Sequence, residues 1–283
     1  MSRARMTSPD PIDLAGRILE KVAELHAAGK KDAAAALRVE MTRDDPALFA
    51  LVYLRRHLTD TETQRVTLSE VHLAWAEIAR QWASSEPRRD AIIAPRSMGK
   101  STWFFLALPM WAAAHGHARF VAAFANSAGQ AQAHLMTFKR ELDGNRLLRE
   151  DYPGLTRPMM RRGRPLADSQ DMYIAEGRFA FVARGADTGN LGLKIDDTRP
   201  DLIVCDDLEP GEGSYSAYQA EQRLTTLLDD ILPLNFRANV AIVGTTVMSG
   251  SIIDQFRKYH DEQEAAAVRN LDCGSSHVET VAL

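Results

Sequence analysis

The sequence predicts an α/β fold: a mainly parallel sheet covered by helices on both faces, with a helical region in front of it. Three observations carry this. Five short apolar runs, "AIIA" (91–94), "RFVAAFA" (119–125), "RFAFVA" (178–183), "DLIVCD" (201–206) and "NVAIVGT" (239–245), are bounded by charges or glycine. Helix-like segments at 100–114, 127–142, 216–231 and 251–267 alternate with most of them. Continuous apolar strands that alternate with helices belong to a parallel sheet buried on both faces. The first sixty or so residues, by contrast, hold no strand pattern at all.

The elements follow in order. "DLAGRILEKVAELHAAGKKDAAAALRVEM" (13–41) is rich in Ala, Leu, Glu and Lys, with apolar residues at spacings of three and four, and reads as helical. "DDPALFALVYLRRHLTD" (44–60) is a second helix, with Asp45 as N-cap and Pro46 in the first turn. "TLSEVHLAWAEIARQW" (67–82) is a third, starting near Ser69. The strand–helix alternation begins near residue 89. It is interrupted at 143–177 by "DYPGLTRPMMRRGRPLADSQD", whose Pro, Gly and Arg content marks a long excursion. The organisation expected is a helical region over 1–65, an α/β domain over 66–268 and a tail over 269–283 without a strand.

Bulk properties narrow the class. The chain's 283 residues leave room for one large α/β domain with an appendage. A net charge of −4 and a pI of about 6.1 leave no global basic excess, so contact with nucleic acid has to come from a local patch. Cys205 and Cys273 are the two cysteines and lack metal-ligand spacing. They fit a reducing compartment and exclude a disulfide framework or a zinc site. "MSRARMTSPDPIDLAG" lacks the apolar centre of a signal peptide, and no run of 18 apolar residues exists. The expectation is an intracellular protein with no membrane span.

The chemistry concentrates in "APRSMGKST", Ala94 to Thr102, between an apolar run and a helix. Pro95, Arg96, Ser97 and Met98 fill the loop before Gly99, Lys100 and Ser101. This has the spacing of a Walker A phosphate loop, with alanine in the first glycine position. In such a loop backbone N–H groups and a helix N-terminus face the phosphates. Lys100 would reach the β- and γ-phosphates of ATP, and Ser101 would bind Mg²⁺. The predicted class is therefore a P-loop NTPase of RecA/ASCE-like type. The acidic partner is "DLIVCDDLE": Asp206 at the strand end to bind Mg²⁺ through water, then Asp207 to polarise the attacking water, with Glu209 as a rival. "NVAIVGTTV" ends in Gly244, Thr245 and Thr246, where a small turn can sense the γ-phosphate.

Taken together, these stretches resemble the ATPase domain of the large terminase subunit of tailed bacteriophages. The arginine inside "APRSMGKST", the relaxed first glycine, "FANSAGQAQAHLMTFKRELDGNRLLREDYP", the "RPDL" entry to "IVCDDLE" and "NVAIVGTTV" resemble that family in order and spacing over roughly residues 45–260. The resemblance implies an Mg²⁺- and ATP-dependent motor that moves double-stranded DNA into a procapsid, working as a homo-oligomeric ring on a portal protein with a small terminase subunit, in the host cytoplasm. It implies that Gly244, Thr245 and Thr246 couple hydrolysis to movement. It gives Arg96 a γ-phosphate role, against pairing with Asp206 or Asp207 or a plain surface position; Arg184 is a second arginine candidate. "TLSEVHLAW" falls where the family binds adenine, though His72 reads equally as a buried helix histidine. The family's usual C-terminal nuclease is not expected in this chain.

DNA would be gripped through its phosphates. Arg157, Arg161, Arg162 and Arg164 form the best local patch, on what reads as an exposed loop; a solvated loop or a subunit contact are its other readings. Trp103 and Trp111 read as core. Two rival functions stand beside the motor: a helicase-like nucleic-acid-stimulated ATPase, and a degenerate nucleotide-binding prophage remnant that does not hydrolyse.

Overall fold

A computed structural model describes residues 10–186, 188, 192–209, 216–245, 249–262, 269–273 and 276–282. The chain opens with helices α1 (Pro11–Ala27), α2 (Lys31–Thr42), α3 (Pro46–Tyr53) and α4 (Glu70–Arg80). The single helical stretch expected over 13–41 is two helices. Gly29 adopts φ +73, a left-handed turn that glycine enters without strain, and the chain reverses there. The Asp45 carboxylate accepts from Leu48 N–H at 2.9 Å and Pro46 follows it, as the residue types predict. Ser69 caps α4.

Strand β1 (Arg89–Ile93) leads through a loop into α5 (Lys100–Thr102), a π-helical turn over Trp103–Ala107, and α6 (Leu108–Ala114). Then come β2 (Phe120–Ala125), α7 (Ala128–Gly144), α8 (Arg146–Asp151) and α9 (Pro153–Thr156). The excursion continues as β3 (Met160–Arg161), β4 (Arg164–Pro165) and β5 (Met172–Ile174). The chain closes with β6 (Ala180–Gly185), β7 (Leu202–Asp206), α10 (Ala217–Thr225), a second π turn over Thr226–Ile231, β8 (Asn239–Gly244), α11 (Ile252–Glu262), β9 (Arg269–Cys273) and β10 (Ser276–Ala282). Both π turns run into a proline, Pro109 and Pro233, which has no N–H for the carbonyl four residues back.

The sheet order is β5-β6-β2-β7-β8-β1-β10-β9. β6, β2, β7, β8 and β1 are parallel, and β5, β10 and β9 add antiparallel edges. The α/β fold read from the sequence is therefore present, P-loop-like, with helices on both faces. Alternation along the strands explains why. Ile92, Val121, Ala123, Val204, Ala241 and Val243 point into one buried cluster, shared with Trp75, Trp103 and Trp111. Ala91, Ile93, Ala122, Phe124, Ile203, Cys205, Val240 and Ile242 point into the other, under Leu227, Ile231, Ile252 and Ile253. Successive strand side chains face opposite sides, so a wholly apolar strand needs cover on both.

The tail corrects the expectation of no strand: β9 and β10 form an antiparallel pair, and β10 lies on β1 with Ala91 opposite Val281. The β-branched residues of "HVETVA" suit a pleated strand, and β1 otherwise leaves an unpaired edge. Among the described residues no helix is long and apolar enough to cross a membrane.

The N-terminal helices share the first cluster: Ala15, Ile18, Ala34 and Phe49 are buried in it beside residues of α4 and α6. Trp111 donates its indole N–H to the carbonyls of Thr42 (3.2 Å) and Arg43 (3.1 Å), satisfying the end of α2. Arg38 reaches Asp151 in α8 through Nε and Nη2, both at 2.6 Å, and Tyr53 donates to the same carboxylate at 2.6 Å. Neither charged side chain of that pair has any exposure. Asp151→Ala should cost about 3–5 kcal/mol in urea unfolding, because among the described residues it leaves the buried guanidinium only Glu150, 3.5 Å away, as a carboxylate partner. An Arg38→Met, Asp151→Leu pair of changes should recover most of that loss in the same measurement.

Candidate functional site

The site lies where ligands bind in open α/β sheets, at the carboxyl ends of the parallel strands. Three adjacent strands, β1, β8 and β7, deliver the loop 94–101, the Gly244-Thr245 turn and the Asp206-Asp207 pair side by side.

The loop's backbone explains its sequence. Ala94 continues β1: its N–H donates to Gly244 O at 3.1 Å, and it is buried. Its φ is not in the left-handed region, so alanine serves where glycine is usual. The left-handed positions are Ser97 (φ +66) and Gly99 (φ +74). A Cβ at Gly99 would meet nothing closer than 3.8 Å, so backbone conformation, not space, demands glycine there. Pro95 and Met98 are half-buried, while Arg96 and Ser97 are exposed. Thr102 closes the first helical turn.

Lys100 is the centre. Its ammonium is buried and donates to Ala94 O, Pro95 O and Thr245 Oγ1, each at 2.8 Å. All three donors of an ammonium are thereby used. Burial pulls its pKa below the ordinary lysine value, while the Asp207 and Asp206 carboxylates act to hold the charge. Thr245 joins the three segments: its hydroxyl donates to Ala94 O at 3.0 Å and its N–H to Asp207 Oδ1 at 3.2 Å. Asp207 has φ +37, a left-handed turn that aspartate tolerates better than most residues. Burial, then the neighbouring Asp206, raises its pKa; Lys100 opposes this.

Asp206 ends β7 and is buried. Its Oδ2 accepts from Ser101 Oγ at 2.7 Å, and its Oδ1 has no hydrogen-bond partner among the described residues. An orphaned carboxylate oxygen beside a serine hydroxyl is a set of hard oxygen donors, and it fits Mg²⁺. No group of three or more His, Cys, Asp or Glu among the described residues could hold a metal by itself, so such an ion would complete its shell with ligand oxygens and water.

Other expected residues fall elsewhere. Glu209 Oε1 accepts from Ile252 N–H at 2.7 Å, at the start of α11. The exposed Arg96 makes no ion pair with a described residue, but it lies close enough to act on both Lys100 and Asp207. Arg184 pairs with Asp171 at 3.4 Å at the far edge of the sheet. Thr246 lies outside the described residues. The basic stretch is a β-hairpin rather than a loop. Arg161 pairs Arg164, and Arg162 (φ +51) with Gly163 (φ +78) makes a tight turn with both central residues left-handed. Arg157 lies 3.9 Å from Glu176.

Two histidines matter here: His72, the buried helix histidine that the sequence suggests, and His134, which sequence reasoning did not place. His72 is buried; its Nδ1 accepts from Ser69 N–H at 3.1 Å and its Nε2 lies 3.0 Å from Met98 O. It stacks on Trp103 with ring centres 5.2 Å apart, fixing the floor of the loop. Its pKa is lowered, chiefly by burial. His134, on α7, lies 3.1 Å from Asp206 Oδ2. The available signal was its place on the helix face that carries Ala131, Leu135 and Phe138 inward.

Fold and site together define an α/β protein with a P-loop-like fold. No family model matches the chain, and no curated protein matches it. Among solved structures, an arginine-to-alanine mutant of the large terminase ATPase domain of Thermus phage P74-26 aligns over 67% of this chain and 69% of that chain, with TM-score 0.41 and 16% identity. A likeness that distant leaves the function to be argued from the residues.

Gly244 is fixed by packing: a Cβ there would lie 2.7 Å from Ile253 Cγ1 and 2.9 Å from its Cδ1. Gly244→Ala should therefore push α11 off β8 and lower stability by about 1–3 kcal/mol in urea unfolding. Ile253→Ala in the same chain should relieve the clash.

Proposed function

We propose that the chain is the ATP-hydrolysing motor domain of a viral DNA-packaging terminase, using Mg²⁺ and ATP to drive double-stranded DNA. The observation that carries the ATPase part is the convergence of Lys100, Thr245, Asp207 and the Ser101–Asp206 pair at three neighbouring strand ends. The sequence resemblance and the exposed arginine hairpin support the motor part.

In this reading Lys100 exchanges Ala94 O, Pro95 O and Thr245 Oγ1 for phosphate oxygens, while the left-handed turns at Ser97 and Gly99 aim loop N–H groups at the same anion. Ser101 and Asp206 would hold Mg²⁺, which supplies neutralisation of developing phosphate charge when bound. Asp207 orients and deprotonates the attacking water; its raised pKa makes it a better proton acceptor than an ordinary aspartate. Arg96, exposed at the loop, stabilises charge on the transferred phosphate. Thr245, released from Lys100, passes the change to β8 and α11. Portal protein, small terminase subunit and a ring of copies would be the partners.

Steady-state hydrolysis tests the chemistry. Lys100→Ala should abolish turnover and weaken ATP binding. Asp207→Asn should keep binding and lower kcat by about a hundredfold or more, the scale of losing a general base. Linear duplex DNA should raise the wild-type rate; ATP binding without turnover in any condition would favour the remnant reading instead.

The hairpin makes a separate prediction. Duplex binding should weaken with salt, and Arg161→Ala, Arg162→Ala and Arg164→Ala should each reduce the slope of log affinity against log salt by about 1. Fluorescence anisotropy with two unrelated duplexes should give equal losses, as phosphate contacts require.

A further inference from the structure

We infer that His134 is a third protein ligand of the metal site made by Ser101 and Asp206, and that it turns this site toward a borderline divalent ion such as Mn²⁺ in preference to Mg²⁺. The inference rests on the nucleotide reading above for the remaining ligands, but the nitrogen itself is a property of this chain.

Four observations carry it. His134 Nε2 is buried and lies 3.1 Å from Asp206 Oδ2, within ion-pair distance, yet among the described residues it makes no hydrogen bond. Asp206 Oδ1 is likewise buried and unpartnered. Two orphaned polar atoms on facing side chains are costly unless something joins them, and a cation satisfies both. The 3.1 Å between the His134 nitrogen and the other carboxylate oxygen, Oδ2, suits a shared ion, since neighbouring ligand atoms of an octahedral ion bonded at about 2.1 Å stand about 3.0 Å apart. The imidazole is held there. Its ring stacks on Phe105 with centres 4.4 Å apart at 29°, and α7 starts from the Ser127 cap directly after β2, the strand beside β7.

The donor set then decides the ion. Ser101 Oγ and the Asp206 carboxylate are hard oxygens that Mg²⁺ accepts. An imidazole nitrogen adds little for Mg²⁺ and more for the first-row transition ions, least for Mn²⁺ and increasingly for those after it. Of these Mn²⁺ keeps the six-coordinate, oxygen-rich shell that a triphosphate and water complete.

The test uses the full chain with Mn²⁺, with and without a non-hydrolysable ATP analogue. Free Mn²⁺ is counted by its aqueous electron paramagnetic resonance signal, Mg²⁺ by competition, and bound nitrogen by pulsed resonance. The wild type should show a histidine nitrogen coupled to Mn²⁺. His134→Ala and His134→Gln should each remove that coupling and lower Mn²⁺ affinity about tenfold, with a smaller change for Mg²⁺. Gln can still hydrogen-bond Asp206, so a merely positioning role would survive in it. An uncoupled wild type, or a Mn²⁺ to Mg²⁺ affinity ratio unmoved by both variants, overturns the inference. A wild-type urea unfolding midpoint checks that each variant is folded. A nitrogen-coupled Mn²⁺ in a chain that binds no nucleotide would sink the ATPase proposal and leave this one standing.

Discussion

The insertion of β8 between β1 and β7 is the constraint on which the working end of the molecule depends. Neighbouring strands lie about 4.8 Å apart, so β1 and β7, with β8 between them, stand about 10 Å apart at their carboxyl ends. That is too far for Lys100 to share a partner with Asp207 directly, and near enough for one small residue between them to touch both. Thr245 is that residue. Its hydroxyl serves Lys100 and Ala94, and its N–H serves Asp207. Gly244, just before it, keeps the ridge low enough for Ile253 to close over β8.

The strands and the loop were legible because their signals are local. Apolar runs on a two-sided sheet are continuous, and Gly99-Lys100-Ser101 sits between strand and helix in plain order. Asp45, Pro46 and Ser69 announced their helix starts. What was illegible depends on contacts distant in sequence. His134 reaches Asp206 across seventy-two positions, and His72 reaches Met98 across twenty-six. The contact of Glu209 with the start of α11 was hidden because nothing near it in sequence shows that α11 begins there. Gly29 was hidden by an alanine-rich context that favours helix on both sides. The strands of the tail answer an open edge on β1, a need that the tail's own residues do not display.

The N-terminal helices show how a polar cluster can fix an apolar one. The core shared by α1, α3, α4 and α6 is held in register by directional bonds: Arg38 and Tyr53 on Asp151, and Trp111 on the last carbonyls of α2. Apolar packing alone tolerates sliding; a bidentate guanidinium–carboxylate pair does not. α4 in turn carries His72 and Trp75 beneath the loop, with the two rings 5.3 Å apart, so the rigidity of the helical region ends under Lys100.

On the proposed function, the three bonds of Lys100 would make the loop a latch with two settings. In the setting seen, the ammonium is bound to its own backbone and to Thr245. Any anion that claims the ammonium must undo that set, and the threonine is let go in the same act. Linkage of this kind is reciprocal. A load on α11 that pulls Thr245 away from Lys100 would favour the anion, and one that presses it home would expel the anion. Mechanical force and ligand affinity would then be two readings of a single bond.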